Sequence, residues 1–140
     1  MTSGKLSVIV LGSIGYGGMD SIKSMYDVLE REGFDVVKHV MEKGMDYTEI
    51  TDFRNEKDLS KEICEHDLSY LKEAKVMVIL GGKASWGGGM ELYEGKINLG
   101  LTTVLLAPDP VPTPWPINYS DYIVRSEEEL IKTLHEIEKG

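Results

Sequence analysis

The sequence predicts an α/β protein built on a doubly wound, five-stranded parallel sheet. Short apolar runs typical of buried strands alternate with segments whose apolar residues recur at helical spacing. This alternation favours parallel strands with helices on both faces of the sheet. Glycine-rich stretches follow the first and third strands, where ligands bind in such folds. We therefore expect a flavodoxin-like or Rossmann-like layout.

The predicted elements follow one another in regular order along the chain. The strands are expected at about residues 6–11, 34–40, 75–80, 102–106 and 122–124. The helices are expected at about residues 20–32, 59–74, 90–99 and 127–139. The strands are short apolar runs, and the first, second and last helices show apolar residues at helical spacing.

Caps and breakers set several of these boundaries. Gly33 is expected to end the first helix as a C-terminal cap. Residues 41–57 show little periodicity and are predicted to form a long loop. Four prolines between residues 109 and 116 argue against regular structure there. Ser126 is a suitable N-cap for the last helix, whose first turn carries acids that the helix dipole favours.

Composition restricts the class of protein. A chain of 140 residues, 41% hydrophobic, is expected to form one domain over residues 1–140. No apolar run approaches the roughly eighteen residues of a membrane span, and no signal peptide is recognised. The single Cys64, which we interpret as a core residue, excludes an intrachain disulfide and favours a cytoplasmic location. A net charge of −9 without a basic stripe argues against nucleic-acid binding.

The most informative stretch is residues 85–92, SWGGGMEL, between the third strand and the third helix. A glycine-rich turn here would let the backbone approach a ligand closely. If the helix opens near Met90, Glu91 lies in its first turn, where free N–H groups and the helix dipole favour an ionised carboxylate. An ionised carboxylate suits a nucleophile, although an ordinary first-turn acid would show the same pattern.

Asp67 is a second carboxylate that stands out, because it lies on the apolar face of the second predicted helix. An inward acid is costly unless it is paired or used, and bracing a neighbouring loop would explain it equally well. Asp67 and Glu91 flank the same strand. Two carboxylates so placed could act on a glycosidic bond, one as nucleophile and the other in proton transfer.

The other candidates carry weaker signals. The loop from Gly12 to Gly18 could hold a phosphate, or could simply be a flexible turn. His39 and His66 are more often structural than functional, and Trp86 could stack on a base or simply be packed. No cluster has metal-ligand spacing, so neither a metal nor another cofactor is predicted.

Four segments together resemble a known family. They are Gly12-Ser13-Ile14 with Gly17 and Asp20, His39-Val40, Glu65-His66-Asp67-Leu68-Ser69-Tyr70-Leu71 with Ala74 and Val76, and Ser85-x-Gly87-x-Gly89-x-Glu91-Leu92. In order and spacing they resemble the nucleoside 2-deoxyribosyltransferase superfamily, and within it most closely the 2′-deoxynucleoside 5′-phosphate N-hydrolases. The segments lie within residues 8–92, so the last third of the chain is hardly covered.

The resemblance implies that Glu91 attacks the deoxyribose C1′, that Asp67 assists by positioning and proton transfer, and that water releases 2-deoxyribose 5-phosphate. It also implies a homodimer in which residues 112–120 of a neighbouring chain complete each site. The implied substrate-binding residues are Gly12, Ser13, Ile14, Gly15, Tyr16, Gly17, Gly18, Tyr26, His39, Ser85, Gly87 and Gly89.

The chain departs from the family pattern at several positions. Ile9 stands where the hydrolases tend to have a tyrosine, and Gly15 and Gly18 stand where they tend to have arginines. Two alternatives to the hydrolase therefore stay open. One is a deoxyribosyltransferase that uses the same Glu91 to exchange bases, and the other is a nucleotide-binding module without turnover.

Overall fold

The computed structural model describes residues 5–12, 18–39, 49–81 and 85–140. Within these ranges, five strands form one parallel sheet: β1 (Ser7–Leu11), β2 (Asp35–Val37), β3 (Val76–Leu80), β4 (Thr102–Leu106) and β5 (Tyr122–Val124). Their spatial order is β2-β1-β3-β4-β5. This order confirms the predicted doubly wound, flavodoxin-like sheet, and its direction of progression reverses between β1 and β3.

The helices of the described residues are α1 (Gly18–Arg31), α2 (Lys57–Leu71), α3 (Trp86–Tyr93), α4 (Trp115–Tyr119) and α5 (Glu127–Lys139). A π-helical turn (Glu94–Asn98) continues α3. The short α4 was not predicted, because the prolines around it argued against regular structure. Pro116 lies in its first turn, where a missing N–H costs nothing. None of the helices described is long and apolar enough to cross a membrane.

Helices cover both faces of the sheet. Val8 and Val10 of β1 belong to a core cluster with α1 and α5, whereas Ile9 and Leu11 belong to one with α2 and α3. Successive strand residues point to opposite faces, so a strand that is buried on both sides is apolar throughout. Cys64 is exposed on α2, so its interpretation as a core residue was wrong.

The connection from α1 to β2 follows the predicted cap. Gly33 has φ of 90°, its N–H donates to Glu30 O, and the Phe34 N–H donates to Leu29 O. These two bonds form a Schellman motif. β2 is shorter than predicted because only Asp35–Val37 pairs with β1, so His39 lies just beyond the strand and not at its last position.

The third helix differs most from its prediction, because α3 begins at Trp86 and not near Met90. Ser85 has extended backbone angles, and its Oγ accepts a hydrogen bond from the Gly88 N–H at 3.0 Å. This N-cap satisfies a helix-terminal donor and starts the helix early. Gly87 and Gly89 therefore lie inside the helix, and the predicted glycine turn was wrong.

Two glycine substitutions test these assignments: one should destabilise the protein and the other should stabilise it. Gly33→Ala is expected to cost about 1 kcal/mol or more in the free energy of unfolding, because a side chain is strained at positive φ. Gly89→Ala should stabilise by roughly 0.5–1 kcal/mol, because an added Cβ meets nothing within 4 Å and alanine favours helix. Urea denaturation measures both. A loss of stability in Gly89→Ala would contradict the helical assignment of Gly89 and would favour the turn predicted from the sequence.

Candidate active site

Glu91 is placed by α3, and the early start of this helix changes its environment. It is the sixth residue of the helix, and the first turn contains no acidic residue. The expectation that free N–H groups at the helix start hold Glu91 ionised was therefore wrong. Those N–H groups lie a turn away from it, and one of them is already satisfied by Ser85.

Burial governs the protonation of Glu91. Its Oε2 is shielded from solvent and has no hydrogen-bond partner among the described residues. Burial, and then the charge of Asp67, raise the pKa of Glu91 from 4.5 to about 8. The group therefore carries a proton at neutral pH in the free protein. The two carboxyl groups thus act on one another, and Glu91 is the one that holds the proton.

Asp67 faces this site from α2. Its side chain is 14% exposed, and its Oδ1 lies 3.3 Å from Nδ1 of His66. Burial raises the pKa of Asp67, while the hydrogen bond and the charge of His66 lower it. Because it is the charge of Asp67 that opposes ionisation of Glu91, Asp67 is the first of the pair to lose its proton.

Two histidines and a tyrosine line the α2 side of this carboxylate pair. His39 is buried, and desolvation, then the charge of His66, lowers its pKa to about 4, so its ring is neutral at neutral pH. The Tyr70 ring centroid lies 4.8 Å from that of His66 and 6.4 Å from that of His39. The contacts of His66 and Tyr70 were not predicted, although their i, i+4 spacing beside Asp67 was a usable signal.

A cavity of about 770 Å³ lies on another side of α3. Its lining includes Gly12, Ser85 and Gly89, but neither Asp67 nor Glu91. Its walls come from α3, the ends of β3 and β4, and the proline-containing segment that leads into α4. This cavity is therefore not the space between the two carboxyl groups, and α3 carries residues of both regions.

The predicted substrate-binding residues separate into groups. Gly12, Ser85 and Gly89 share the cavity lining, and Gly87 lies one turn before Glu91 on α3. Gly18 begins α1, and residues 13–17 lie outside the described residues. Tyr26 is 2% exposed in the core cluster with α1 and α5, so the structure does not bring it to the carboxylate pair. His39 lies close enough to His66 for the charge of His66 to lower its pKa, and no contact with the carboxylate pair itself is described.

Other features of this region bear on its chemistry. Trp86 is 89% exposed, so the packed alternative for its ring was wrong. No group of three or more His, Cys, Asp or Glu side chains within the described ranges is arranged to hold a metal ion.

Comparison with known proteins does not assign the chain to a family. A scan against protein-family models found no matching family, and a search of curated proteins found no matching relative. The site is therefore described by its geometry: two partly buried carboxyl groups of unequal acidity, on α2 and α3, with a ligand-sized cavity on another side of α3.

Replacing Glu91 by glutamine is expected to change the pH dependence of stability. The wild-type protein binds more protons folded than unfolded between pH 4.5 and about 8, so its stability falls as pH rises through this window. A glutamine side chain at this position cannot ionise, so the variant does not lose this part of its stability as pH rises. Glu91→Gln should melt close to the wild type at pH 5, but on the order of 10 °C higher at pH 9.

Thermal unfolding followed by circular dichroism between pH 5 and 9 measures this difference. The exposed Glu128→Gln on α5 controls for loss of a surface carboxylate. Parallel melting curves for Glu91→Gln and the wild type across this pH range would contradict the burial of Glu91.

Proposed function

We propose that the protein is an N-glycosidase that hydrolyses 2′-deoxynucleoside 5′-monophosphates to free base and 2-deoxyribose 5-phosphate. The observation that carries the proposal is the partly buried pair of Glu91 and Asp67, which differ in acidity because of their surroundings. Glycoside chemistry requires one carboxylate and one proton-carrying carboxyl group at the same bond. The resemblance of the sequence segments supports the nucleotide substrate class, and a cytoplasmic location belongs to the same proposal.

The single proton of the pair must move before reaction. In the free protein the proton is on Glu91, whereas a nucleophile must be ionised. In our proposal, substrate binding transfers this proton from Glu91 to Asp67. One transfer then prepares both groups, because Glu91 becomes the nucleophile and Asp67 becomes the acid.

The chemical steps follow from that starting state. The Glu91 carboxylate bonds to C1′ while the C1′–N bond breaks, and the departing base takes the proton from Asp67. In the second step, Asp67 removes a proton from water as the water oxygen bonds to C1′. The C1′–O bond to Glu91 breaks as the bond to water forms and restores the Glu91 carboxylate, so the pair again holds one proton, now on Asp67.

The 5′-phosphate is proposed to bind beside Gly12 and Ser85. These residues follow β1 and β3, the neighbouring strands between which the sheet reverses its order, and ligands bind outside the strand ends at such a point. Both residues line the cavity next to α3. Gly12 also opens the glycine-rich sequence of residues 12–18, which was predicted from its composition to hold a phosphate.

The activity is tested by mixing the purified protein with each deoxynucleoside monophosphate and separating the products by chromatography. Free base should form, and Glu91→Gln should lower kcat/KM on the order of 10³-fold or more, because the nucleophile is lost. Asp67→Asn should lower it by about 10²–10⁴-fold through loss of proton transfer. Asp58→Asn, an exposed acid near the start of α2, is the matched control.

A second reaction contains deoxynucleosides and a free acceptor base. New nucleosides there, without hydrolysis of the monophosphates, would replace the hydrolase by a base-exchanging transferase. Nucleotide binding without any product in either reaction would contradict both enzymes and leave a binding module.

We also propose that the protein forms a homodimer through the outer face of α3 and the neighbouring α4. Trp86, Met90, Tyr93 and Ile97 form a helical stripe with exposures of 89%, 66%, 49% and 51%. Trp115 adds a further side chain that is 68% exposed, with its ring stacked on Tyr119. A contiguous exposed apolar patch of this kind is typical of a protein interface.

Sedimentation velocity tests the dimer. The wild-type protein should sediment at twice its chain mass of 15.6 kDa, and Trp115→Glu should shift it towards the single chain, because a charge is costly in an apolar interface. Tyr122→Glu, at an exposed position on β5, is the control and should stay dimeric. A wild-type protein that sediments as a single chain at micromolar concentrations would contradict this proposal.

A further inference from the structure

His66 contacts Asp67 in a way that helix geometry does not provide by itself. Adjacent side chains on an α-helix point about 100° apart and do not face each other. Nevertheless, His66 Nδ1 lies 3.3 Å from Asp67 Oδ1, with the two side chains 18% and 14% exposed. The imidazole must therefore be turned along the helix surface towards its neighbour.

Tyr70 provides the support for this orientation. It lies one turn after His66 on α2, and the two ring centroids are 4.8 Å apart with planes inclined by 45°. Residues at i and i+4 meet on a helix surface, so the tyrosine ring limits the rotation of the imidazole. The far nitrogen of His66, Nε2, is shielded from solvent and has no hydrogen-bond partner among the described residues.

We propose that His66 is a positioning residue, whose Nδ1–H, held in place by Tyr70, donates to Asp67 and fixes the carboxylate that works with Glu91. This inference deepens the proposed hydrolase and rests on it for its catalytic consequence. An ionised carboxylate only accepts hydrogen bonds, so Nδ1 of His66 must carry the hydrogen that is donated to Asp67.

The contact has a consequence for the shared proton. A donor to Asp67 favours its ionised form and opposes the effect of burial, so the proton stays on Glu91 in the free site. Among the described residues, the titratable side chains that interact with His66 or Asp67 come from three segments: Tyr70 on α2, His39 after β2 and Glu91 on α3. Loss of the His66 donor should therefore move the proton of the pair towards Asp67.

Three substitutions of His66 distinguish the effect of losing the hydrogen-bond donor from the effect of losing the aromatic ring. His66→Asn places an amide N–H₂ near the position of Nδ1, whereas His66→Gln places its amide near the position of Nε2. His66→Phe keeps a ring against Tyr70 and removes the donor. NMR of the full chain with ¹³C-labelled carboxyl groups then follows the titration of Asp67 and Glu91 without need of substrate.

The titration midpoint of Asp67 should rise by about one pH unit in His66→Phe and His66→Gln, a tenfold change in its acidity. His66→Asn should stay close to the wild type. If the phenylalanine variant does not fold, the asparagine and glutamine pair gives the same comparison. An Asp67 midpoint that is equal in the wild type and in His66→Gln would overturn the proposed role.

Kinetics add a second readout for the hydrolase. In His66→Gln the proton moves to Asp67 more readily, but the carboxyl group is no longer held in place, so kcat for base release near pH 7 should fall about tenfold with little change in KM. The acid limb of the pH profile should move upward, because the Asp67 pKa rises. His66→Asn should restore both. A lower kcat with an unchanged pH profile would mean a structural role only and would overturn the inference. If the wild type releases no base, the proposed hydrolase fails, whereas the NMR comparison still decides the role of His66.

Discussion

Two carboxyl groups that share a site shielded from water cannot both ionise at low cost, and this constraint governs the region between α2 and α3. Burial and the charge of Asp67 keep a proton on Glu91, while His66 favours the ionised form of Asp67. The two acids are therefore unequal before any substrate binds. Such an arrangement costs stability at neutral pH and above, which is typical of functional sites and unusual for acids that only support a fold.

The framework around this pair explains how it is assembled. The sheet reverses its order between β1 and β3, so the carboxyl ends of these two strands lie side by side. Ser85 caps α3, which begins at Trp86. On this helix Glu91 lies close enough to Asp67 to be affected by its charge, while Met90 and Tyr93 are exposed. One helix thus carries a carboxyl group of raised pKa on one side and exposed apolar side chains on another.

Much of the fold could be predicted because local signals agreed with tertiary packing. The strands Thr102–Leu106 and Tyr122–Val124 and the helix Glu127–Lys139 have their predicted bounds. Predictions of element boundaries failed where a single hydrogen bond or the extent of strand pairing decided the structure against the local sequence pattern. Glycines suggested a turn before Glu91, but the Ser85 cap made them helical, and β2 is short because only three of its residues pair with β1.

The sequence by itself determined the alternating elements, the parallel sheet and the choice of Asp67 and Glu91 as the two carboxylates of interest. These follow from periodicity and from the cost of an acid on an apolar face, both of which are local. Only the tertiary structure decided which acid holds the proton, that His66 contacts Asp67, and that the cavity lies elsewhere along α3. Desolvation and ring orientation depend on side chains brought together from distant parts of the chain, and no pattern within a single segment encodes them.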